Sequence, residues 1–341
     1  MKIKTLMDFL NKEGGESAAQ PGGAPTSSDS GADRNIVYIE NARLETVGEH
    51  ATGRALIAGV TQWSEESMGE ILLSLGKLTE PDIDRIIQHQ RKRGLYFGEA
   101  ALELGLLTRD DILVALSRQF GYSYSQDNAS ASTDMVMASS PFGELAEEFR
   151  SIRSKLLTTW LSVENKVLAI SSTREQDGRS YVAANLALAF AQLGKSTLLI
   201  DGDLRAPRQH EIFSLSTRVG LSMLLAGRIN LEELDMLPSQ IPGFPHLSVL
   251  GCGAVPPNPS ELLGNGRLQA ILEQIRKYFD IVIIDIPPAI YRADVMSVAS
   301  VAGSALLVTR EGCTRISETK QLMELIRQSG AHVVGAILNR Y

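Results

Sequence analysis

From residue 141 onward, short apolar runs alternate with amphipathic stretches. The runs cover 167–171, 196–200, 247–250, 281–284, 305–308 and 333–338. They are largely continuous apolar runs and do not alternate with polar residues at every second position, which is the pattern of strands buried on both faces. Alternation of such strands with helices predicts an α/β fold, a parallel sheet with helices on both sides.

Upstream the period changes. The segment Gly69-Glu70-Ile71-Leu72-Leu73-Ser74-Leu75-Gly76-Lys77-Leu78-Thr79 returns as Gly98-Glu99-Ala100-Ala101-Leu102-Glu103-Leu104-Gly105-Leu106-Leu107-Thr108. Asp82, Ile83 and Gln90 recur as Asp111, Ile112 and Gln119 at the same offset of 29. In each copy a short apolar helix is expected to end at a glycine, after which a threonine caps a second helix. Two such helical hairpins predict a small all-α repeat domain over 64–125. Residues 126–140 are small and polar and are expected to be a linker, leaving 141–341 for the α/β domain. Residues 1–63 are expected to be mostly a flexible segment. Within it Ile3, Leu6, Met7 and Leu10 form one side of a short amphipathic stretch, and 37–39 is a candidate strand.

Composition adds little to this division and removes some functions. Of 341 residues, 44% are apolar and 21% charged, ordinary values for a globular protein. The net charge of −7 sits upstream: residues 1–140 hold 13 Lys and Arg against 20 Asp and Glu, and the rest is balanced. No basic tract points to nucleic acid. Cys252 and Cys313 lack metal-ligand spacing and fit a reducing compartment. His210 and His332 belong to no constellation. No apolar stretch approaches the roughly 20 residues of a membrane span, so a cytoplasmic protein is expected.

The chemistry gathers at strand ends. Leu198-Leu199-Ile200-Asp201-Gly202-Asp203-Leu204-Arg205 and Ile281-Val282-Ile283-Ile284-Asp285 each deliver carboxylates after an apolar strand, as a Mg²⁺–nucleotide site requires. Between residue 170 and the first of them lies Thr173-Arg174-Glu175-Gln176-Asp177-Gly178-Arg179-Ser180, laid out as a phosphate-binding loop. Gln176 and Arg179 depart from G-x-x-x-x-G-K-[ST], Arg179 standing in the place of Lys. In this reading Gln176, Asp177, Gly178, Arg179, Ser180 and Tyr181 surround the phosphates of ATP. Ser180, Asp201 and Asp285 are the Mg²⁺ candidates, and Arg179, Asp201 and Asp203 the catalytic ones. Alone, Asp201 suits a strand-end cap or an ion pair equally well.

Together these motifs resemble the bacterial tyrosine kinases, which belong to the deviant P-loop ATPases. Asp201, Asp203 and Arg205 match that family's apolar-D-x-D-x-R strand, and Asp285 with Pro288 its apolar-D-x-x-P strand. Glu147, Arg150 and Arg153 match its E-x-x-R-x-x-R oligomerisation motif, although a salt-bridged helix face gives the same spacing. Pro256-Pro257-Asn258-Pro259-Ser260-Glu261-Leu262-Leu263 has the family look as well. Asn339 stands where related ATPases hold adenine, or it is a strand-end turn residue. The order of domains is most similar to the chain-length-determinant kinases of exopolysaccharide loci. The resemblance implies ATP and Mg²⁺ as cofactors, tyrosine phosphorylation, self-association, and a separate membrane polysaccharide co-polymerase that recruits the chain to the inner membrane. The family usually ends in a cluster of acceptor tyrosines, whereas here only Tyr341 is present.

The repeat resembles the N-terminal domain of secretion and pilus assembly ATPases, where twin motifs can bind cyclic di-GMP. Ser67 and Tyr96 occupy the places of that family's arginines, so a helical docking module is preferred to a cyclic di-GMP site. Two other functions fit the same residues. One is a non-catalytic, nucleotide-dependent oligomerising adaptor. The other is a MinD-type positioning ATPase, in which Arg174 takes the place of a second lysine.

Overall fold

A computed structural model describes residues 37–40, 67–119, 135–141, 143–162, 165–216, 219–230 and 238–340. The expected amphipathic start, the tether, Tyr341 and the linker residues 126–134 lie outside the described residues.

The repeat forms as its spacing predicts. Helices α1 (Met68–Ser74) and α2 (Glu80–Arg93) make the first hairpin, α3 (Phe97–Glu103) and α4 (Arg109–Gln119) the second. Gly76 and Gly105 follow the short helices at φ 66° and 64°, a left-handed turn that costs a glycine little. The Asp82 and Asp111 carboxylates accept hydrogen bonds from the hydroxyls of Thr79 (2.5 Å) and Thr108 (2.6 Å), so the two copies are capped alike. Ile71, Leu72, Ile86, Ala100, Ala101 and Ala115 fill the core between the hairpins.

The remaining residues build one mixed sheet. Its strands are β1 (Val37–Glu40), β2 (Val167–Ser172), β3 (Thr197–Asp201), β4 (Ser239–Ile241), β5 (Phe244–Leu250), β6 (Ile281–Asp285), β7 (Ser304–Arg310) and β8 (His332–Asn339). They lie in the order β1-β8-β7-β2-β6-β3-β5-β4. The six inner strands are parallel, and β1 and β4 are antiparallel additions at the two sides. Thus all six strands expected from the apolar runs are present. The strand at 37–40 joins the far side of the same sheet, while β4, too short and polar to stand out, was not foreseen.

Side chains alternate between two cores. Leu168, Ile170, Ile281 and Ile283 meet α5 (Val136–Ser139), α6 (Glu144–Thr159) and α7 (Arg179–Gln192). Val167, Ala169, Val282 and Ile284 face the opposite layer. That layer holds α9 (Leu221–Leu225), α10 (Pro259–Gly264), α11 (Arg267–Ile275), α12 (Arg292–Ala302) and α13 (Ile316–Gln328), while the short α8 (Gln209–Ile212) lies beyond β3. Helix α7 is buried nearly all round because Ala183, Ala184, Ala187, Ala189 and Ala191 let it lie close to the strands. Two of its buried polar residues hold α5: Asn185 Oδ1 accepts from Met137 N (3.0 Å), and Gln192 Nε2 donates to Met137 O (2.8 Å). Residues 135–140, assigned to the linker by composition, therefore pack in the core through Met135 and Met137. Among the described residues, no helix is long and apolar enough to cross a membrane.

Candidate nucleotide and phosphoryl-transfer site

The site is built where β2, β3 and β6 end. Asp201 and Asp285 are paired residues in the β3–β6 register, so the sheet itself sets the two carboxylates side by side. Gly202 then passes so near β6 that a Cβ there would lie 2.8 Å from an Ile284 methyl and 3.0 Å from the Asp285 carbonyl oxygen. Asp203 follows, and the chain from 204 to 209 wraps round the pair. Arg208 N and Gln209 N donate to Asp201 Oδ2 (3.0 and 2.9 Å), while Arg205 N and Ala206 N donate to Asp203 Oδ1 (3.1 and 3.0 Å).

All three carboxylates are buried. Burial pushes Asp201 well above the usual carboxylate range, and the charge of Asp285 pushes it further. Burial likewise raises Asp285, opposed by the Arg179 guanidinium. Arg179 is itself buried, pairing with Asp203 Oδ2 and lying 3.5 Å from Asp285 Oδ1 through its Nε. It therefore faces the carboxylates in this structure, while the loop amides remain open.

Loop 173–178 joins β2 to α7. Counted back from Gly178, the first glycine of the motif falls on Thr173, whose hydroxyl donates to Asp177 Oδ2 (2.9 Å). Arg174 N shares that oxygen (2.9 Å), Thr314 donates to Oδ1 (3.1 Å), and Asn339 Nδ2 donates to the Asp177 carbonyl (3.0 Å). Asp177 and Asn339 thus use these groups to brace the loop, which leaves Asp177 its backbone N–H for a ligand. Gln176 takes a left-handed φ of 64°, unusual for a residue with a side chain, and Gly178 has φ 95° at the helix cap. Among the described residues, no protein acceptor takes the N–H groups of Gln176 through Ser180. Open amides at the start of a fourteen-residue helix suit a phosphate.

The residues also fit a divalent cation. Among the described residues, Asp201 Oδ1, Asp285 Oδ1 and Gln209 Oε1 are buried oxygens with no hydrogen-bond partner. Hard, oxygen-rich donors of this kind are what Mg²⁺ prefers. Ser180, whose hydroxyl acts on Asp285, stands at the second position of α7 beside them.

Other expected residues take separate places. Tyr181 packs at the loop's edge against Phe149, with ring centroids 6.1 Å apart. Arg205 works as a buttress: it reaches Asp294 (2.7 Å) and Ser260 (2.8 Å) and lies 4.4 Å over the Tyr291 ring, tying the β3 end to α10 and α12. Glu147, Arg150 and Arg153 lie on α6, away from the carboxylates. Arg150 pairs with Glu147 (2.7 Å) and donates to the Pro141 carbonyl; Arg153 donates to Ala189 O (2.9 Å). Gln209 was not foreseen. Its Nε2 donates to both Asp285 Oδ2 (2.9 Å) and Ser180 O (3.1 Å), and no sequence spacing advertises it.

Comparison with known proteins identifies the family of the α/β domain. Residues 163–340 match the family model described as ParA, NUBPL iron-transfer P-loop NTPase. The putative tyrosine-protein kinase CapB of Staphylococcus aureus is 34% identical over 200 residues, 59% of this chain and 86% of that protein. A putative tyrosine-protein kinase in the cps region of Klebsiella pneumoniae is 34% identical over 205 residues, 60% of this chain but only 28% of that longer protein. Among solved structures, the kinase domain of the Escherichia coli tyrosine kinase Etk superposes with a TM-score of 0.57 at 34% identity, covering 60% of this chain and 79% of that one. The chain belongs to the ParA-type P-loop NTPases, within their bacterial tyrosine-kinase branch.

Proposed function

We propose that this chain binds Mg·ATP and transfers the γ-phosphoryl group to protein tyrosines, as a regulator of exopolysaccharide chain length, polymerisation and export. The observation that carries this reading is the meeting of Asp201, Asp203 and Asp285 beside a loop with open amides. The N–H groups of Gln176 to Ser180 bind the β- and γ-phosphates. Ser180, Asp201 and Asp285 would hold Mg²⁺, which when bound neutralises charge on the transferring group. Arg179 leaves Asp203 to meet the phosphates with its cation. Asp201, raised by burial, orients the attacking hydroxyl or accepts its proton, and Asp203 supports the metal ligands. Asn339 and Tyr181 border the space for the nucleoside end.

Radiolabelled ATP incubated with the chain and a Glu–Tyr polymer tests the reading: label should enter the polymer and disappear with Asp201→Ala. Equal labelling by wild type and Asp201→Ala would remove the site from the chemistry. A nucleotide-dependent adaptor is the second reading, favoured by the engagement of Arg179 with Asp203 and Asp285. ATP binding without any transfer would select it. A positioning ATPase is less well supported, because Arg174 is held by Glu318 of its own chain.

Self-association through the face of α6, and recruitment to the inner membrane by a separate polysaccharide co-polymerase, complete the proposal. Cyclic di-GMP has little support at the repeat, where Ser67 caps α1 and Tyr96 points to solvent.

A further inference from the structure

Five tyrosines fall among the described residues; Tyr38 lies on β1, and the surroundings of the other four differ. Tyr181 packs on Phe149, and Tyr291 lies beneath the Arg205 guanidinium. Tyr278 is 58% exposed, but the cations before it are occupied: Arg276 donates to Val301 O (3.2 Å) and Lys277 to Gln274 (2.8 Å). Tyr96 is 80% exposed. It stands at the corner between α2 and α3, just after Gly94 turns the chain at φ 69°.

The twin copy shows what this placement gives up. At the equivalent corner Ser67 caps α1, its hydroxyl accepting from Glu70 N (3.4 Å). Tyr96 makes no side-chain cap bond to α3, giving up the stabilisation such a bond supplies at this position. Its backbone is nevertheless fixed, since Tyr96 N donates to Glu99 (2.9 Å) and Tyr96 O accepts from Ala100 N (3.0 Å). The result is a phenol held out into solvent on a rigid corner. Arg91, Lys92 and Arg93, all exposed, precede it; among the described residues their one ion pair is Arg93 with Glu103 at 3.9 Å, which leaves the cluster largely uncompensated there. Cations next to a phenol attract a nucleotide-borne phosphate and stabilise the dianion left after transfer.

We propose that Tyr96 is an acceptor for this chain's own phosphoryl-transfer site, which makes the repeat domain a modified element; the inference rests on the kinase reading above. In the step, Tyr96 Oη bonds to the γ-phosphorus as the bond to the bridging β-phosphate oxygen breaks. ADP leaves with that electron pair, and the phenolic proton passes to a carboxylate of the site.

The test incubates the full chain with Mg·ATP and maps phosphate by mass spectrometry, with the Glu–Tyr polymer as a parallel substrate. The peptide 94–109, released by trypsin after Arg93 and Arg109, should carry the phosphate. Tyr96→Phe should lose most of the self-incorporated label while labelling the polymer as wild type does, which also shows that the variant folds. A bare 94–109 peptide, or unchanged self-labelling in Tyr96→Phe, from an enzyme that labels the polymer would overturn this inference alone. No transfer to either substrate would overturn the kinase reading, and this inference with it.

Discussion

A lysine in place of Arg179 would present one compact charge to the loop, whereas the guanidinium here spans from Asp203 to Asp285. Arg179→Lys is therefore expected to raise ATP affinity or turnover, measured by calorimetry and by polymer labelling. A strong loss of either would mark the arginine as a specialised phosphate ligand. Arg179→Ala should behave differently, because it leaves three buried carboxylates without their cation. A stability loss of about 3 kcal/mol in urea unfolding is expected, smaller when Mg²⁺ is present. Gln209→Ala should lower phosphoryl transfer more than ATP affinity, since Gln209 orients Asp285 and not the loop amides. The three carboxylates were legible in the sequence because Asp201 and Asp285 each end an apolar strand and Asp203 stands two residues after the first. Gln209, Ser260 and Asp294 were not, because folding alone brings them to partners 55 to 89 residues away in several cases.

At the scale of elements, the caps and the α6 face carry the expectations. The Thr108 hydroxyl, helped by Lys77, holds the Asp111 carboxyl down at about 2. Its folded value lies below the unfolded one, so its contribution is complete above the ordinary aspartate value of 3.8 and is lost as pH falls through about 2. Asp111→Asn should thus weaken hydrogen-exchange protection in α4 by about 1 kcal/mol at neutral pH, and the difference should shrink in acid. On α6, Arg150 and Arg153 bond to their own domain, but Glu147 is exposed. Arg150→Ala with Arg153→Ala should lower both the mass seen by light scattering and the melting temperature. Glu147→Ala should lower the mass alone; an unchanged mass in both variants would count against self-association through this face. The repeat helices were legible from glycine and threonine spacing. Helix α5 was not, because four residues carry no period and Met137 is fixed by side chains 48 and 55 residues away.

For the whole molecule, the apolar runs announced the layers but not the strand order. Adjacent runs in sequence, such as those of β2 and β3, are separated in the sheet by β6. That separation creates the site, because it sets Asp285 next to Asp201. The division into repeat and α/β domain predicts that chymotrypsin cuts after Phe120, Tyr122 or Tyr124 and leaves the later residues as a resistant piece. Cleavage within 167–339 at equal rates would argue against it.

The antiparallel strands at the two sides of the sheet have a further consequence. β1 covers Gly335–Leu338 of β8 and β4 covers part of β5, so among the described residues neither long parallel strand offers its whole ladder of N–H and C=O groups. Among the described residues, a newcomer would meet these short strands first, too short to hold a continued ribbon. The proposed self-association would then rest on side chains of the helices. Assembly built that way dissolves with salt and re-forms, where growth along an open β-rim would run on into fibres.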